Sequence, residues 1–392
     1  MKNIVCIDMH TIGHRSQYDV QSAFIRGMHH GLVSEGLDSS LILCNRLFPG
    51  GLIQELIDKR PDCTLSFNGV PYNDQNEQIC QDLKLPNISV LIDAPFYFLH
   101  LLKTFYAIFT CYDRSDALYY RDLGYRLVFL PHAVEPGAAP DWAAERKYEV
   151  VMLASVIDPD EIRSEWYRLY PLEVAKSMDE AAEAALTTPG LNTHQAFLTA
   201  MRRRGHEVER DAKKMMEILK LIEQFYRGKD RIELVKSIRN VRVDIFGKGK
   251  RKGWSDLIHQ ENVVFHEAVD FGEAFKVMQQ SKIVLNSSPM IKDGAHERVL
   301  YGLLSGSFVL SSYSKYLSEE FPKGCGIRFY QPGSYGTVES VVGEILSDEL
   351  LRVSEAMKGY GRVIESHTWK SRAKVVHEVI GPIVDEININ RS

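Results

Sequence analysis

Short apolar runs separated by longer mixed segments set the rhythm of this chain. Six runs fall in its first third: NIVCID (3–8), SLILC (40–44), CTLSF (63–67), ISVLID (88–93), AIFTCY (107–112) and RLVFL (126–130). They are almost continuously apolar, as strands covered on both faces must be. Between them the period becomes that of a helix. In DVQSAFIRGMHHGLVSEG, residues Val20, Phe24, Met28 and Leu32 recur at helical spacing before Gly36 ends the segment. This alternation predicts a Rossmann-like domain with a parallel sheet over residues 1–135. LPHAVEPGAAPDWAAERK (130–147), with three prolines among small and charged residues, reads as a linker.

A second alternation starts at YEVVMLAS (148–155). A charged, helical stretch over about 156–237 interrupts it, and strands resume with VRVDIFG (241–247), VVFHEAV (263–269), KIVLN (282–286), FVLSS (308–312) and GIRFY (326–330). The expectation is a second Rossmann-like domain, 146–365, carrying a helical insertion. In the tail, 366–392, Trp369, Ala373, Val376, Ile380 and Val384 form one stripe, which predicts a helix packed on a domain surface. The fold class is therefore α/β, with two doubly wound domains facing across a cleft. Ligands of such sheets bind beyond the carboxyl ends of the strands.

Composition narrows the function classes. Apolar residues make up 45% and charged residues 25% of the 392 positions, as in a globular protein. No run approaches the roughly 18 apolar residues that a membrane span needs. The apolar run near the start is too short for a signal-peptide core, so the expected location is cytoplasmic. The six cysteines lie far apart without a C-x-x-C pair, which signals neither zinc nor a disulfide framework. A formal charge of −5 gives no overall basic field for nucleic acid.

Candidate chemistry concentrates in NSSPMIKDGAHERVLYGLLSGSFVLSS (286–312), a strand-loop-helix-loop-strand unit. Its loop lies beyond a strand's carboxyl end, and the helix that follows presents free N–H groups and the positive end of its dipole, a setting that suits a diphosphate. Gly294 permits close backbone approach, and Lys292 and Arg298 offer charge-assisted bonds. The alternative is that Asp293 caps the helix and Arg298 is a solvated surface residue. FGKGKRKGW (246–254) adds Gly247 and a basic loop in which Lys248 and Lys250 either neutralise phosphate or form an exposed basic turn. Ser155, ending the first strand of the second domain, is a further donor.

The 286–312 run resembles the strongest motif of the CgeB-like group-1 glycosyltransferases of GT-B fold. RIELVKSIRNVRVDIFGKG (231–249) is similar to their preceding helix and G-x-G strand end, and LPHAVEP (130–136) to their interdomain junction. The resemblance implies a nucleotide-diphosphate-sugar donor held by the second domain, an acceptor held by the first, and no metal or other cofactor. It implies backbone contacts to diphosphate from Gly294, Ala295 and His296, with Arg298 and Lys292 in support. Glu297 either accepts from a sugar or ribose hydroxyl or takes part in capping. Relatives carry a ribose-binding glutamate five residues before the helix-ending glycine, and here that position is Tyr301.

Transfer also needs a base for the acceptor. His14 and Asp19 follow the first strand, Asp19 alternatively capping the next helix. Asp93 and Asn68 end later strands and suit catalysis or hydroxyl recognition, and His132 stands at the junction, open to either substrate. The acceptor, whether protein, glycan or small molecule, is not legible. Two other readings share the fold: a nucleotide-sugar epimerase, and a catalytically silent module that binds a glycan or a protein.

Overall fold

The computed structural model describes residues 1–9, 20–43, 49–72, 77–207, 211–249 and 252–390. His14, Asp19 and Lys250 lie outside them. The twelve strands expected from sequence are all present, with ends shifted by at most three residues. In chain order they are β1 (Asn3–Asp8), β2 (Asp38–Leu43), β3 (Cys63–Phe67), β4 (Asn87–Val90), β5 (Ala107–Cys111), β6 (Leu127–Phe129), β7 (Tyr148–Leu153), β8 (Val243–Phe246), β9 (Val263–His266), β10 (Ser281–Asn286), β11 (Phe308–Ser312) and β12 (Ile327–Tyr330). They form two six-stranded sheets, ordered β2-β1-β3-β4-β5-β6 and β12-β11-β10-β7-β8-β9. Every named pairing is parallel, so each sheet needs helical crossovers on its faces.

The chain divides into two compact units, one of residues 1–136 with 366–392, the other of 137–365. In the first unit the tail is received by helix Val20–Ser34. A Cβ on Gly27 would lie 2.2 Å from the Trp369 indole, and one on Gly31 would lie 2.6 Å from the Trp369 carbonyl oxygen. Only glycine admits the tryptophan so closely, and the ring also packs on Phe24 at 5.2 Å. Arg372 then donates to the carbonyls of Pro131 and His132 at 2.8 and 2.9 Å. Trp369, Ala373, Val376, Ile380 and Val384, the stripe read from sequence, are all buried.

In the second unit one face of the sheet, built from Val150, Met152, Ile245, Ile283, Leu285, Phe308 and Leu310, packs on Ile232, Leu234 and Val235 of helix Ala212–Lys236. That 25-residue helix is the last of four in the insertion; Pro159–Leu169, Leu172–Thr187 and Thr193–Arg203 precede it. Asp158 starts the insertion, accepting from the N–H groups of Asp160 and Glu161, with proline at the first helical position. Asp211 caps the long helix in the same way. On the sheet's other side Arg146 gathers the carbonyls of Gln279, Ser305 and Gly306, tying off the ends of helices Phe271–Gln279 and Glu297–Leu304.

Candidate functional site

The strand order of the second sheet reverses between β7 and β10. Chains leaving these neighbours diverge to opposite faces, which opens a crevice at their carboxyl ends. Ser155 follows β7 there, and Ser287 follows β10.

The long insertion helix reaches this point through a glycine. A Cβ on Gly228 would stand 2.5 Å from the Ile157 carbonyl oxygen, so the helix lies against the backbone just after β7. Two arginines flank that contact, one turn apart. Arg231, only 4% exposed, donates from Nη1 to the Ser155 carbonyl at 2.7 Å. Its Nε is buried and has no hydrogen-bond partner among the described residues. Arg227 donates to Glu223 Oε1 at 3.0 Å. From the other side of the crevice Arg298 donates to Asn286 Oδ1, the last residue of β10, at 3.1 Å.

The three guanidiniums share one environment. Burial weakens the hold of Arg231 on its proton well below the ordinary range, and the positive charges of Arg227 and Arg298 weaken it further, Asp230 opposing. Burial does the same to Arg298, with Glu297 opposing and Arg227 adding. Collecting like charges where water is scarce is unfavourable, and an anion relieves it.

Asp230, next along the helix, is fully buried and faces hydroxyls. Oδ2 accepts from Ser287 Oγ at 2.6 Å and from the Tyr330 hydroxyl at 2.7 Å, and Oδ1 accepts from the Tyr335 hydroxyl at 2.8 Å. Burial pushes this carboxyl above the usual range, and the three hydroxyls pull it back only partly.

The loop after β8 closes against the same edge. Gly247, at φ +157°, would place a Cβ 2.0 Å from the Ala154 carbonyl oxygen, so no other residue fits. Trp254 Nε1 donates to that carbonyl at 3.0 Å, and Lys252 pairs with Asp158 at 2.6 Å. Lys248 is exposed on this loop, and Ser155 is exposed beside it.

In the loop after β10 several of the expected residues are held by contacts within the chain. The Lys292 ammonium donates to the carbonyls of Ala185 and Leu186 at the end of an insertion helix. The Gly294 N–H is already engaged, donating to Ser314 Oγ at 3.2 Å, while its carbonyl accepts from the same hydroxyl at 2.6 Å. His296 caps helix Glu297–Leu304, its Nδ1 accepting from the Arg298 N–H at 3.1 Å, so the cap is the histidine and not Asp293. Glu297 Oε2 lies 2.9 Å from that nitrogen. Ala295 and Asp293 are buried. Tyr301 is buried edge-on against Phe271 and Phe275, at 5.1 and 5.8 Å.

In the first unit the strand order reverses between β1 and β3. Asn68 follows β3 in the left-handed region at φ +52°. Its Oδ1 accepts from the N–H of Ile92 and of Asp93 at 2.9 and 3.3 Å, and its Nδ2 donates to Asp93 Oδ2 at 2.8 Å. The structure thus brings these two expected residues together. His132 does not join them. It is buried, with its ring between those of Phe24 and Tyr112 at 6.2 and 5.0 Å.

Sequence reasoning missed Arg227, Asp230, Arg231, Asn286 and Ser287. A signal was present: Gly228 sits mid-helix between two arginines four apart, and Asp230 continues the buried spacing of Leu219, Ile222 and Tyr226.

Residues 229–378 match the family described as glycosyl transferase-like. No curated protein matches the chain. Among solved structures it is similar to HepE of Anabaena in complex with UDP-glucose, with a TM-score of 0.54 and 10% identity over 97% of this chain and 100% of that one. A glycosyltransferase involved in avilamycin A biosynthesis gives a TM-score of 0.54 at 11% identity, covering 98% and 99%. Sucrose-phosphate synthase of Thermosynechococcus elongatus gives 0.51 at 10%, covering 98% and 100%. The likeness is one of fold: two doubly wound units of the GT-B kind. Among the described residues no helix is long and apolar enough to cross a membrane.

Proposed function

We propose that this chain is a glycosyltransferase of the CgeB-like group-1 kind, which moves a sugar from a nucleotide-diphosphate donor to an acceptor hydroxyl. The observation that carries the reading is the arginine cluster at the β7/β10 crevice, with Arg231 buried and Arg227 and Arg298 half-buried, most of it within the matched residues 229–378. When the bond between the anomeric carbon and the diphosphate breaks, negative charge grows on the departing β-phosphate oxygen. Arg231 and Arg298, fixed at their Ser155 and Asn286 contacts, meet that charge without reorganising, and Arg227 adds to the field. Guanidiniums take the role a divalent cation has elsewhere, so the reaction runs without metal. Gly247 lets backbone approach, and Lys248 adds screening charge at the rim. The acceptor oxygen attacks the anomeric carbon and its proton passes to a base, for which Asp93, positioned by Asn68, is the described candidate.

The test is the melting temperature against UDP-, GDP-, CDP-, dTDP- and ADP-sugars, in EDTA and then in magnesium. A donor at 100 times its Kd stabilises by about 2.7 kcal/mol. The expected result is one base series shifting the melt equally in both buffers. A shift only with magnesium removes the metal-free mechanism. No shift with any sugar nucleotide removes the donor reading and favours the silent module.

A further inference from the structure

Two adjacent residues of the long insertion helix hold the two chains that leave the central strands. Arg231 is fastened to Ser155, after β7, and Asp230 to Ser287, after β10. Successive helix residues point about 100° apart, so this dipeptide spans the crevice. The Asp230 carboxylate also takes the Tyr330 hydroxyl from the end of β12 and the Tyr335 hydroxyl from the loop beyond it. Four chain segments thereby meet on one fully buried group. A carboxylate so placed is costly, since its desolvation is offset by three neutral donors, and simple packing is served better by an apolar residue. Its negative charge also weakens anion binding nearby, which makes its presence beside the arginines unexpected unless it sets geometry.

Building on the donor reading above, we propose that Asp230 is a positioning residue: through Ser287 it sets the loop after β10, and with Arg231 it fixes the width of the crevice for the donor's diphosphate. On this view the insertion belongs to the donor site, supplying Arg227, Asp230 and Arg231. Lys292, reaching back to the carbonyls of Ala185 and Leu186, ties the same loop to the insertion a second time.

Charge alone and positioning predict opposite signs. If Asp230 acted only by its charge, Asp230→Asn would bind anions more tightly and Ser287→Ala would change nothing. Positioning predicts that each substitution weakens binding at least tenfold. It also predicts that the double variant is no worse than Asp230→Asn alone, because both break one link. The measurement is calorimetric titration of inorganic pyrophosphate and of UDP-glucose into wild type and the three variants, with melting curves alongside. Ser287→Ala leaves the buried carboxylate two donors and keeps the proposal testable where Asp230→Asn folds poorly.

Acidification supplies a reading that a structural role would not move. Burial raises the Asp230 carboxyl, so lowering the pH protonates it and removes acceptors from the hydroxyls. The charged and titratable neighbours that share its setting are Arg231, Lys292, Tyr330 and Tyr335. Wild-type affinity should fall more steeply with falling pH than that of Asp230→Asn, the difference cancelling the titration of the ligand itself. Unchanged affinity in Ser287→Ala, or tighter binding in Asp230→Asn, overturns the positioning role while the donor reading stands. Failure of wild type to bind either ligand overturns the donor reading, and this proposal with it.

Discussion

At the carboxyl edge of the second sheet arginines gather around a buried carboxylate; at that of the first sheet hydroxyls and amides predominate, joined by the carboxylates of Asp8, Asp93 and Asp113. Both edges have a point where strand order reverses, at β7/β10 and at β1/β3. In the second unit a helix from an insertion brings Arg227, Asp230 and Arg231 to the crevice, and Arg298 enters from the other side. In the first unit the polar groups buried within the sheet are, besides Asp8 at the end of β1, hydroxyls and the Asn87 amide. Thr64 donates to Asn87 Oδ1 at 2.8 Å, and Ser66 and Ser89 both donate to the Gly69 carbonyl, at 2.8 and 2.7 Å. Above them Asn68 holds Asp93. On the function proposed above, the same topological opportunity serves an anion in one unit and hydroxyls in the other. A cationic cluster stabilises a charge that appears in the reaction, while a network of neutral groups orients a substrate that stays uncharged until its proton leaves.

The comparison breaks most visibly at Arg231. Arg231→Met keeps much of the buried stem but deletes the guanidinium, leaving the Ser155 carbonyl without its donor. Nucleoside-diphosphate binding should weaken by about 100-fold, roughly 3 kcal/mol, as expected for a charge-assisted contact in a water-poor site. Calorimetry with UDP checks this. Affinity within threefold of wild type would place the diphosphate elsewhere.

A smaller effect asks whether the insertion stands or falls with this edge. Thr193, first residue of its third helix, shares a hydrogen bond of 2.8 Å with the hydroxyl of Tyr226, the residue before Arg227. Next to it His194 is buried, and burial lowers its imidazole to about 4 from 6.5. The unfolded chain therefore binds the proton first. The stabilisation is complete above the unfolded value and is lost as pH falls from about 6.5 toward 4. Between pH 7 and 5 the loss is about 2 kcal/mol. Melting curves at the two pH values should show a slope that His194→Gln removes. A variant with the wild-type slope would assign the acid sensitivity to other groups.

Legibility in the sequence divides along the same line. Strands and crossover helices were readable because parallel strands are apolar on both faces and helices keep a 3.6-residue period, both local properties. The loop at 287–296 was also readable, since Pro289 and Gly294 punctuate it. What its atoms do was not. The Gly294 N–H is taken by Ser314 and the Lys292 ammonium by Ala185, partners 20 and 107 positions away. Arg231 and Asp230 were hidden in a mixed-charge segment that resembles a solvated helix face. Only the packing at Gly228, against backbone more than 70 positions earlier, turns that face inward.

The smallest effect belongs to the first unit and is the sharpest test of its separate role. Asn68 occupies a left-handed conformation at φ +52°, which costs a side-chain-bearing residue about 1 kcal/mol. Asn68→Gly keeps that backbone at no steric cost while deleting the bonds to Ile92, Asp93 N–H and the Asp93 carboxylate. Relief of strain offsets part of the lost hydrogen bonding, so the melt should move by only a degree or two. On the proposed reading, loss of the Asn68 contact loosens the Asp93 carboxylate and sets it against the acceptor hydroxyl less often. Acceptor-dependent turnover should fall by about tenfold, near 1.4 kcal/mol, with the Kd for UDP unchanged. A matching loss of UDP affinity would show that the two edges do not divide the work as charged and neutral sites. Unchanged turnover would remove Asp93 from the reaction and leave the first edge as scaffold.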